Sequence, residues 1–364
     1  MDPQHAFCPN LDCPARGQTG KGNIHIQSRK ERRYRCTLCG KSFSARTGTP
    51  LYRCHTQEDQ LSCVITLVQH GCPITAIEAA FGFQRRTVRR WLQQAGQHCE
   101  AVHHPLVVQP HDLKQVQADE IRVKIQKGIL WVAMAIAVPY RLWLGALTSP
   151  TRDTGLVRAL IALVHLCALP LPVLIAVDGF RAYIGVIEKA FRQSVKRHRL
   201  GRPRLVVWAD LVIGQVLKHQ RCRRLVALVR KRVRGTQEQL ESLIAASQKG
   251  GTLNTAFIER LNATFRSCLF SLVRRTRSLA RGRSSVHWGV YLVGTVYNFC
   301  TFHQSLTTED GTPRTPAMAA GIAEHCWSLL EVLCYRVPPP RWEPPKKRGR
   351  RSKQELVLIQ RWAT

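Results

Sequence analysis

The sequence predicts an α/β protein in which a mixed sheet is flanked by helices and preceded by two small modules. Three observations support this prediction. Two close cysteine pairs lie near the N-terminus, a helix–glycine–helix pattern follows them, and β-prone apolar runs then alternate with helical segments. At 364 residues, the chain is long enough for two or three domains with cores of their own.

The charge of the chain predicts a polyanionic partner. It contains 55 Lys and Arg against 23 Asp and Glu, a formal net charge of +32. The C-terminal residues 338–364 contribute only +6 of this, so the basic character belongs to the folded body. Nucleic acid is the first candidate. The alternative is a protein that simply carries many solvated arginines.

Four cysteines near the N-terminus have the spacing of a zinc site. Cys8 and Cys13 form a C-x4-C pair, and Cys36 and Cys39 form a C-x2-C pair that is followed by glycine. Two close pairs of this kind, about two dozen residues apart, are typical of tetrahedral zinc ligands. The strands between the pairs form a ribbon too small to hold a core without metal. The sequence therefore predicts a zinc ribbon.

Other ligand sets for this ribbon stay open. The C-x4-C spacing is unusual, so His5, or Cys54 with His55, are alternative ligands, and free thiols on a mobile arm are the alternative without metal. The segment "SRKERRYR" between the pairs adds five basic residues suited to phosphate contact.

A helix, a short turn at Gly82 and a second helix are predicted for residues 72–96. Val88, Trp91 and Leu92 form the inward face of the second helix. The outward face carries four arginines: Arg85, Arg86, Arg89 and Arg90. This is the layout of a helix-turn-helix, whose basic second helix reads the major groove of DNA. A plain helical hairpin in a core is the alternative. Together with a preceding helix, the pair would complete a three-helix domain.

The remainder of the chain alternates between strands and helices. The segment 97–114 lacks periodicity and is interpreted as a linker. Three strands in a meander are predicted next, from "VQADEIRVKI", "GILWVAMAIAV" and "RLWLGALT". A helix ("TGLVRALIALVHLC"), a buried strand ("LPVLIAVDGF"), a helix ("YIGVIEKAFRQSV") and another strand ("PRLVVWADL") follow. Ligands of such folds gather at strand ends.

No membrane span or disulfide framework is expected. The most apolar stretch, residues 156–177, contains Arg158, His165 and two prolines, which favours a buried helix followed by a buried strand. The N-terminus lacks the apolar core of a signal peptide. The fourteen cysteines are therefore expected to be reduced thiols in a cytoplasmic protein.

Three acids are candidate ligands of divalent cations. Asp119 lies near the start of the first body strand, Asp178 ends a buried strand, and Glu259 lies on the helix "NTAFIERLNATFR", which Asn254 or Thr255 can cap. Individually, Asp178 is equally explained as a helix cap and Glu259 as a solvated residue. Together they predict a clamp for two Mg²⁺ ions about 4 Å apart, which would act on a phosphodiester.

Several motifs resemble those of a known enzyme family. They are "TVRRWL", "ADE", "VDG", "NTAFIERLNATFR", "NFCTFHQSL" and "TPAMAAGI". With the cysteine pairs, they resemble bacterial insertion-sequence transposases of the DDE type, which have an RNase H-like core; the resemblance covers about residues 8–334. It places the catalytic carboxylates at Asp119, Asp178 and Glu259. It also implies that Asn262 and Arg266 orient the acid and contact phosphate.

The resemblance implies a reaction and its partners. Two Mg²⁺ ions would support hydrolysis of a phosphodiester at the end of a DNA element, and the freed 3′-hydroxyl would then attack target DNA. The partners would be double-stranded terminal repeats and target, bound by a homo-oligomer in the bacterial cytoplasm. His303 is a further candidate for DNA contact, with a packed surface histidine as the alternative. A catalytically inactive DNA-binding regulator and a nuclease that cuts without joining are the alternative functions.

The resemblance also divides the chain into domains. Asp178 and Glu259 lie 81 positions apart, so an insertion is expected between them, and Asp210 in "VVWADL" is a rival ligand. The Pro-rich, basic C-terminal segment is expected to be an extended, mobile, non-specific DNA tether, and a minor-groove hook at "KRGRR" is the alternative. The predicted divisions are a zinc ribbon (1–55), a helix-turn-helix domain (56–98), a linker (99–114), an RNase H-like catalytic domain (115–335) with a helical insertion (about 182–250), and a basic tail (336–364).

Overall fold

The computed structural model describes residues 2–195, 203–222, 224–248, 250–273 and 279–363. The chain forms two compact units. One unit combines the two ends of the chain, Met1–Glu58 and Leu333–Thr364, and the other covers Asp59–Val332.

The described residues form the following strands and helices. The strands are β1 (Ile24–Ser28), β2 (Arg33–Cys36), β3 (Ser42–Ser44), β4 (Gln115–Ile125), β5 (Gly128–Ala137), β6 (Leu142–Ser149), β7 (Val173–Val177), β8 (Arg192–Val195), β9 (Arg204–Val207), β10 (Leu211–Arg221) and β11 (Arg224–Arg234). The helices are α1 (Glu58–Gln69), α2 (Ile74–Phe81), α3 (Arg85–Val107), α4 (Thr154–Leu166), α5 (Ala182–Ala190), α6 (Gln237–Gln248), α7 (Ala256–Cys268), α8 (Arg283–Cys300), α9 (Pro316–Ala319), α10 (Leu329–Cys334) and α11 (Lys353–Trp362).

The unit made by the chain ends contains a three-stranded antiparallel ribbon, β1–β2–β3. Its core consists of the cysteines together with Tyr34 and Phe43, and Trp362 of α11 completes it. The tail that was expected to be extended contains no helix or strand over residues 338–352, whereas Lys353–Trp362 form α11, which the sequence did not predict. α11 begins with a capping box between Ser352 and Glu355, and its apolar face supplies part of the ribbon core.

The two helices expected on either side of Gly82 are present. Gly82 ends α2 in the left-handed conformation, with φ 70°, which allows the sharp turn into α3. Val88 and Trp91 are buried, while the side chains of the four arginines are exposed. α3 then continues to Val107, so the predicted linker at 99–114 is wrong over its first half.

The continuation of α3 is fixed by packing on α8. An ideal Cβ at Gly96 would lie 2.4 Å from the carbonyl oxygen of Trp288, so only glycine allows this approach. Further along α3, Cys99, Val102 and His103 are buried. These apolar residues at helical spacing are interrupted by glutamine and histidine, which hid the pattern in the sequence.

The second unit is built around a six-stranded mixed sheet in the order β11-β10-β7-β4-β5-β6. The antiparallel meander β4–β5–β6 confirms the three predicted strands. β4 pairs with β7, and β7 with β10, in parallel, whereas β10 and β11 are antiparallel.

The expected helical insertion at about 182–250 is largely wrong. α5 and α6 lie in it, but β8 and β9 form a small separate sheet, and β10 and β11 extend the main one. Within this expected helical insertion, the segment "RLVALVRKRVR" forms the edge strand β11. Its β-branched residues favour a strand, and the basic side chains suit an edge.

Helices cover both faces of the sheet. On one face, α7 and α8 pack on β4 and β5 through Ile121, Met134, Ile258, Phe265 and Val290. α6 covers the neighbouring part of that face, and α4 contacts β5 and β6. The apolar stretch 156–177 divides into α4 and β7, as predicted. Among the described helices, none is long and apolar enough to cross a membrane. None of the fourteen cysteines is joined in a disulfide.

Candidate functional site

Asp119 and Asp178 lie side by side on neighbouring parallel strands. Ala118 of β4 pairs with Val177 of β7, so the next position on each strand carries one of the two acids. They lie at the carboxyl end of β7, where ligands of such sheets gather. The carboxylate of Asp178 accepts the N–H of Phe180 at 2.9 Å, a local turn, and α5 begins only at Ala182. The helix-cap alternative for Asp178 is therefore wrong.

α7 is held over these acids by the side chain of Gln117 on β4. Its Oε1 accepts the N–H groups of Phe257 and Ile258, each at 3.0 Å, which satisfies two orphan donors at the start of the helix. Of the two predicted caps, Asn254 accepts the N–H of Ala256 at 3.0 Å, and Thr255 makes no cap bond.

The helix presents Asn262 to Asp119. The amide Nδ2 of Asn262 donates to Oδ2 of Asp119 at 2.8 Å, across 143 positions of sequence. Asn262 is almost completely buried, and its Oδ1 has no hydrogen-bond partner among the described residues. A buried acceptor in this state can accept a hydrogen bond from a donor outside the described residues, such as a bound water.

Glu259 lies one turn before Asn262 and faces the same site. Its Oε1 accepts hydrogen bonds from Thr255, at 2.6 Å, and from the ammonium of Lys218 on β10. Its charge acts on Asp119. The structure thus places Glu259 within electrostatic reach of Asp119, on a helix, with a basic side chain as its present partner.

Glu120 and Arg152 form a part of the site that the sequence did not reveal. Glu120 is completely buried at its side chain and points to the face of the sheet opposite to Asp119. Nε and Nη2 of Arg152 donate to it at 2.9 and 2.7 Å, and the hydroxyl of Tyr183 donates at 2.5 Å. Nη2 of Arg152 also donates to Asp178 at 3.0 Å, which joins both faces.

Arg152 is positioned by aromatic rings as well as by acids. Its guanidinium lies 4.4 Å from the ring centre of Phe180 and 5.4 Å from that of Trp131. The motif "ADE" places Glu120 next to Asp119, but nothing local to "SPTRDTG" indicates that Arg152 contacts Glu120.

The electrostatics of the site favour a bound cation. Burial raises the pKa of Asp119 to about 6, and the charges of Glu120, Asp178 and Glu259 add to this effect against a lowering hydrogen bond from the Glu120 N–H. Burial also raises the pKa of Glu120, although Tyr183 and Arg152 oppose it. Ionised carboxylates held this closely repel each other, and a cation relieves that repulsion.

The donor set suits a hard divalent cation. Asp119, Glu120 and Asp178 each offer one oxygen, and these oxygens lie within 4.8 Å of one another. Oxygen donors with room for water are what Mg²⁺ prefers. Glu120 already accepts three charged or hydroxyl hydrogen bonds, so Asp119 and Asp178 are the freer ligands of the three.

Asp210, the rival ligand, lies at the opposite end of the parallel strands β7 and β10. Its carbonyl accepts the N–H of Val173, the first residue of β7, at 3.2 Å. Asp178 follows the last residue of β7, five positions later, or about 16 Å along the strand. Asp210 is therefore not part of the carboxylate site.

A second candidate metal site lies in the ribbon of the other unit. The Sγ atoms of Cys8, Cys13, Cys36 and Cys39 lie within 4.8 Å of one another. The side chain of Asn23 donates to Cys36 Sγ at 3.4 Å. His5, with 89% of its side chain exposed, pairs with Asp2 instead, and Cys54 and His55 are outside the cluster.

The thiols differ in acidity. Burial raises the pKa of Cys8 to about 12, and neighbouring Cys36 and Cys39 add to it. Burial acts in the same direction on Cys39, but hydrogen bonds at Lys41, Asn10 and the other thiols lower its pKa to about 7. Four converging sulfurs with tetrahedral spacing are compatible with zinc.

The predicted DNA-contact residues lie in three places. Arg85, Arg86, Arg89 and Arg90 are exposed on the first turns of α3, where Arg85 pairs with Glu78 at 2.5 Å. Arg266 is partly buried, one turn beyond Asn262 on α7. His303 lies beside Arg260 in an open cleft, and burial, with the charges of Arg141 and Arg260, lowers its pKa.

Comparison of the sequence with models of known protein families found no match, and comparison with curated protein sequences also found none that is significant.

Proposed function

We propose that the protein is a metal-dependent DNA transposase that cleaves a phosphodiester at the ends of a DNA element and joins the freed end to target DNA. The observation that carries this proposal is the convergence of Asp119 and Asp178 beneath a helix that brings Asn262 to Asp119. The same helix carries Glu259 one turn before Asn262, within electrostatic reach of Asp119 but outside the group of oxygens that lie within 4.8 Å of one another. The sequence motifs that resemble DDE transposases support strand transfer in addition to cleavage.

The sheet supports an RNase H-like core. Three antiparallel strands are followed by two parallel strands, with the first acid on the first strand and the second acid at the end of the next strand of the sheet. This is the arrangement expected for such a core, with β11 as an additional edge strand. The late helix α7 then contributes the third acid.

Asp119 and Asp178 would hold the magnesium ions, with Glu259 as the third ligand. Two Mg²⁺ ions, when bound, supply activation of the attacking oxygen and stabilisation of the leaving oxygen. Asn262 fixes the orientation of Asp119 through its 2.8 Å hydrogen bond. Lys218 now neutralises Glu259, and ligation requires that this ion pair open.

Arg152 is a positioning group for the DNA phosphate in this proposal. Glu120, which also accepts a hydrogen bond from Tyr183, holds Arg152 beside the site, and one nitrogen of Arg152 already contacts Asp178. A guanidinium that is fixed before substrate arrives binds a phosphate oxygen with little reorganisation. Glu120 is thus assigned to holding Arg152 rather than to metal.

The remaining parts serve DNA binding. The exposed arginines of α3 would enter the major groove, and the cysteine cluster would hold a structural Zn²⁺. We expect at least a dimer, since two element ends require two sites.

The test is a reaction of the full-length protein, Mg²⁺ and DNA that carries the sequences flanking its gene. Cleaved and joined products are expected from the wild type, and Asp119→Asn, Asp178→Asn and Glu259→Gln should lose both. Asp210→Asn is the matched control and should retain both cleavage and joining, because Asp210 lies at the opposite end of the parallel strands. Cleavage without joining would indicate a nuclease, and binding alone would indicate a regulator.

A further inference from the structure

We propose that the C-terminal segment is the second half of the zinc-ribbon module, and that its docking presents the basic loop 346–351 as a surface for the backbone of double-stranded DNA. The DNA contact rests on the proposed function, while the docking stands on the contacts of the ribbon alone. The sequence predicts that this C-terminal segment is a mobile tether. A mobile tether would bind DNA equally well whether or not the ribbon is folded.

The segment is attached to the ribbon along its length. The Arg336 guanidinium lies 4.4 Å from the ring centre of Phe7 and 5.3 Å from that of Phe43. Arg16 donates to the carbonyl of Pro340 at 2.8 Å. At Gly17, an ideal Cβ would lie 2.5 Å from the carbonyl oxygen of Pro339. The ribbon and the C-terminal segment therefore contact each other through their backbones.

α11 anchors the far end of the loop. Leu358 and Trp362, one turn apart, pack into the core that contains the cysteines, and Trp362 is only 1% exposed. Gln18 donates to the carbonyl of Trp362 at 2.8 Å. A helix of ten residues is marginal by itself in water, so α11 depends on this docking. The ribbon in turn gains from α11 the largest side chain of its small core.

The loop between these anchors is strongly basic. Trp342 packs on the ribbon before it and α11 follows it, so both ends are fixed. Five of its six residues are Lys or Arg: Lys346, Lys347, Arg348, Arg350 and Arg351. The whole unit contains 19 Lys and Arg against six Asp and Glu. Since the ends are held, the entropy cost of placing these charges on phosphates is smaller than for a free tail.

Duplex DNA fits this surface better than single strands. Single-stranded nucleic acid is bound by stacking its bases on exposed aromatic rings. In this unit the rings of Phe7, Tyr34, Phe43 and Trp362 are buried. Among the described Phe, Tyr and Trp residues of the unit, only Tyr52 is exposed, and then to 42%. A basic surface with few exposed rings suits the phosphate backbone of a duplex.

The docking is tested by hydrogen exchange of the full-length, zinc-loaded protein. Cys36→Ser breaks the cysteine cluster, and Cys63→Ser, an exposed thiol outside it, is the matched control. The amides of α11 should be protected in the wild type and in the control, and should lose protection in Cys36→Ser. Equal protection of α11 in both variants, or none in the wild type, would overturn the docking.

The DNA surface is tested by binding to a random duplex across salt concentrations. Lys346, Arg348 and Arg350 are changed together to Gln; all three are exposed, so the fold should persist. The slope of log K against log salt should fall by up to about 2.7 in the intact ribbon and by much less in the Cys36→Ser background. An equal fall of the slope in both backgrounds would show that the segment binds DNA as a free tether. No fall in either background would show that the loop does not contact DNA.

These outcomes separate the inference from the proposed function. If the wild type binds the duplex and the triple variant has the same salt slope, only the proposed DNA surface of loop 346–351 is contradicted. A wild type that binds no duplex at all contradicts the proposed function, while the exchange measurement still decides the docking. The triple variant also serves if Cys36→Ser fails to fold, because its protection of α11 should equal that of the wild type.

Discussion

Asp119→Asn is expected to stabilise the cation-free protein at neutral pH. The pKa of Asp119 is raised from 3.8 to about 6, chiefly by burial and then by its acidic neighbours, so an ionised Asp119 at pH 7.5 costs the folded state about 3 kcal/mol. The folded-state pKa of Asp119 lies above its unfolded-state value. Below about pH 4 Asp119 is therefore protonated in both states and does not destabilise the fold, and the cost appears as pH rises to about 6 and above. Asparagine removes the charge and keeps an oxygen for the N–H of Asn262.

Urea unfolding of the full chain, with and without Mg²⁺, measures this effect. In EDTA at pH 7.5 the variant should exceed the wild type by up to about 3 kcal/mol, and the difference should shrink toward pH 4. Mg²⁺ should stabilise the wild type and have less effect on the variant, because a ligand that binds only the folded state stabilises it. Asp210→Asn, exposed and remote, is the control. A variant no more stable than this control, or a Mg²⁺ response equal in both, would refute the reasoning.

Three further predictions concern the body of the protein. His103 is completely buried, and burial lowers its pKa to about 3. The wild type should therefore lose stability as pH falls below about 6.5, because the unfolded state then binds a proton that the folded state does not. In urea titrations, His103→Gln should remove roughly 3 kcal/mol of the stability loss between pH 7 and pH 4. Gly294→Ala places a Cβ 2.2 Å from the Trp143 ring and should cost about 3 kcal/mol, whereas Gly185→Ala in open space should not destabilise. Arg90→Gln, at an exposed position of α3, should lower the salt slope of duplex binding by about 0.9 with unchanged thermal stability.

Elements with a strong local period were predictable from the sequence. The meander of β4, β5 and β6 followed from β-prone apolar runs, and α7 from its apolar stripe of Ile258, Leu261 and Phe265. The placement of Asp178 at the end of β7 followed because a buried apolar run stops there. These signals are local, so tertiary packing had little to overrule.

Elements decided by long-range contacts were not predictable. β11 forms a strand because β10 pairs with it, although its basic residues also suit a helix. α11 is ordered by the ribbon at the other end of the chain. The partnership of Glu120 and Arg152 joins two positions that have no common motif, and its only trace in the sequence is the adjacency of Glu120 to Asp119.

The basic surroundings of the carboxylate site explain how acids persist in a chain of net charge +32. Two acids at the site each form an ion pair with a basic residue: Asp178 with Arg152, and Glu259 with Lys218. Among the described residues, Asp119 accepts hydrogen bonds from the side-chain amide of Asn262 and from the N–H of Glu120, both neutral groups, and burial with the neighbouring charges raises its pKa. In the proposed mechanism, a cation would therefore bind first where charge is least compensated, at Asp119. Lys218 would then exchange Glu259 for a phosphate oxygen of the DNA, one anion for another, while Arg152 would bind phosphate from the position in which Glu120 holds it.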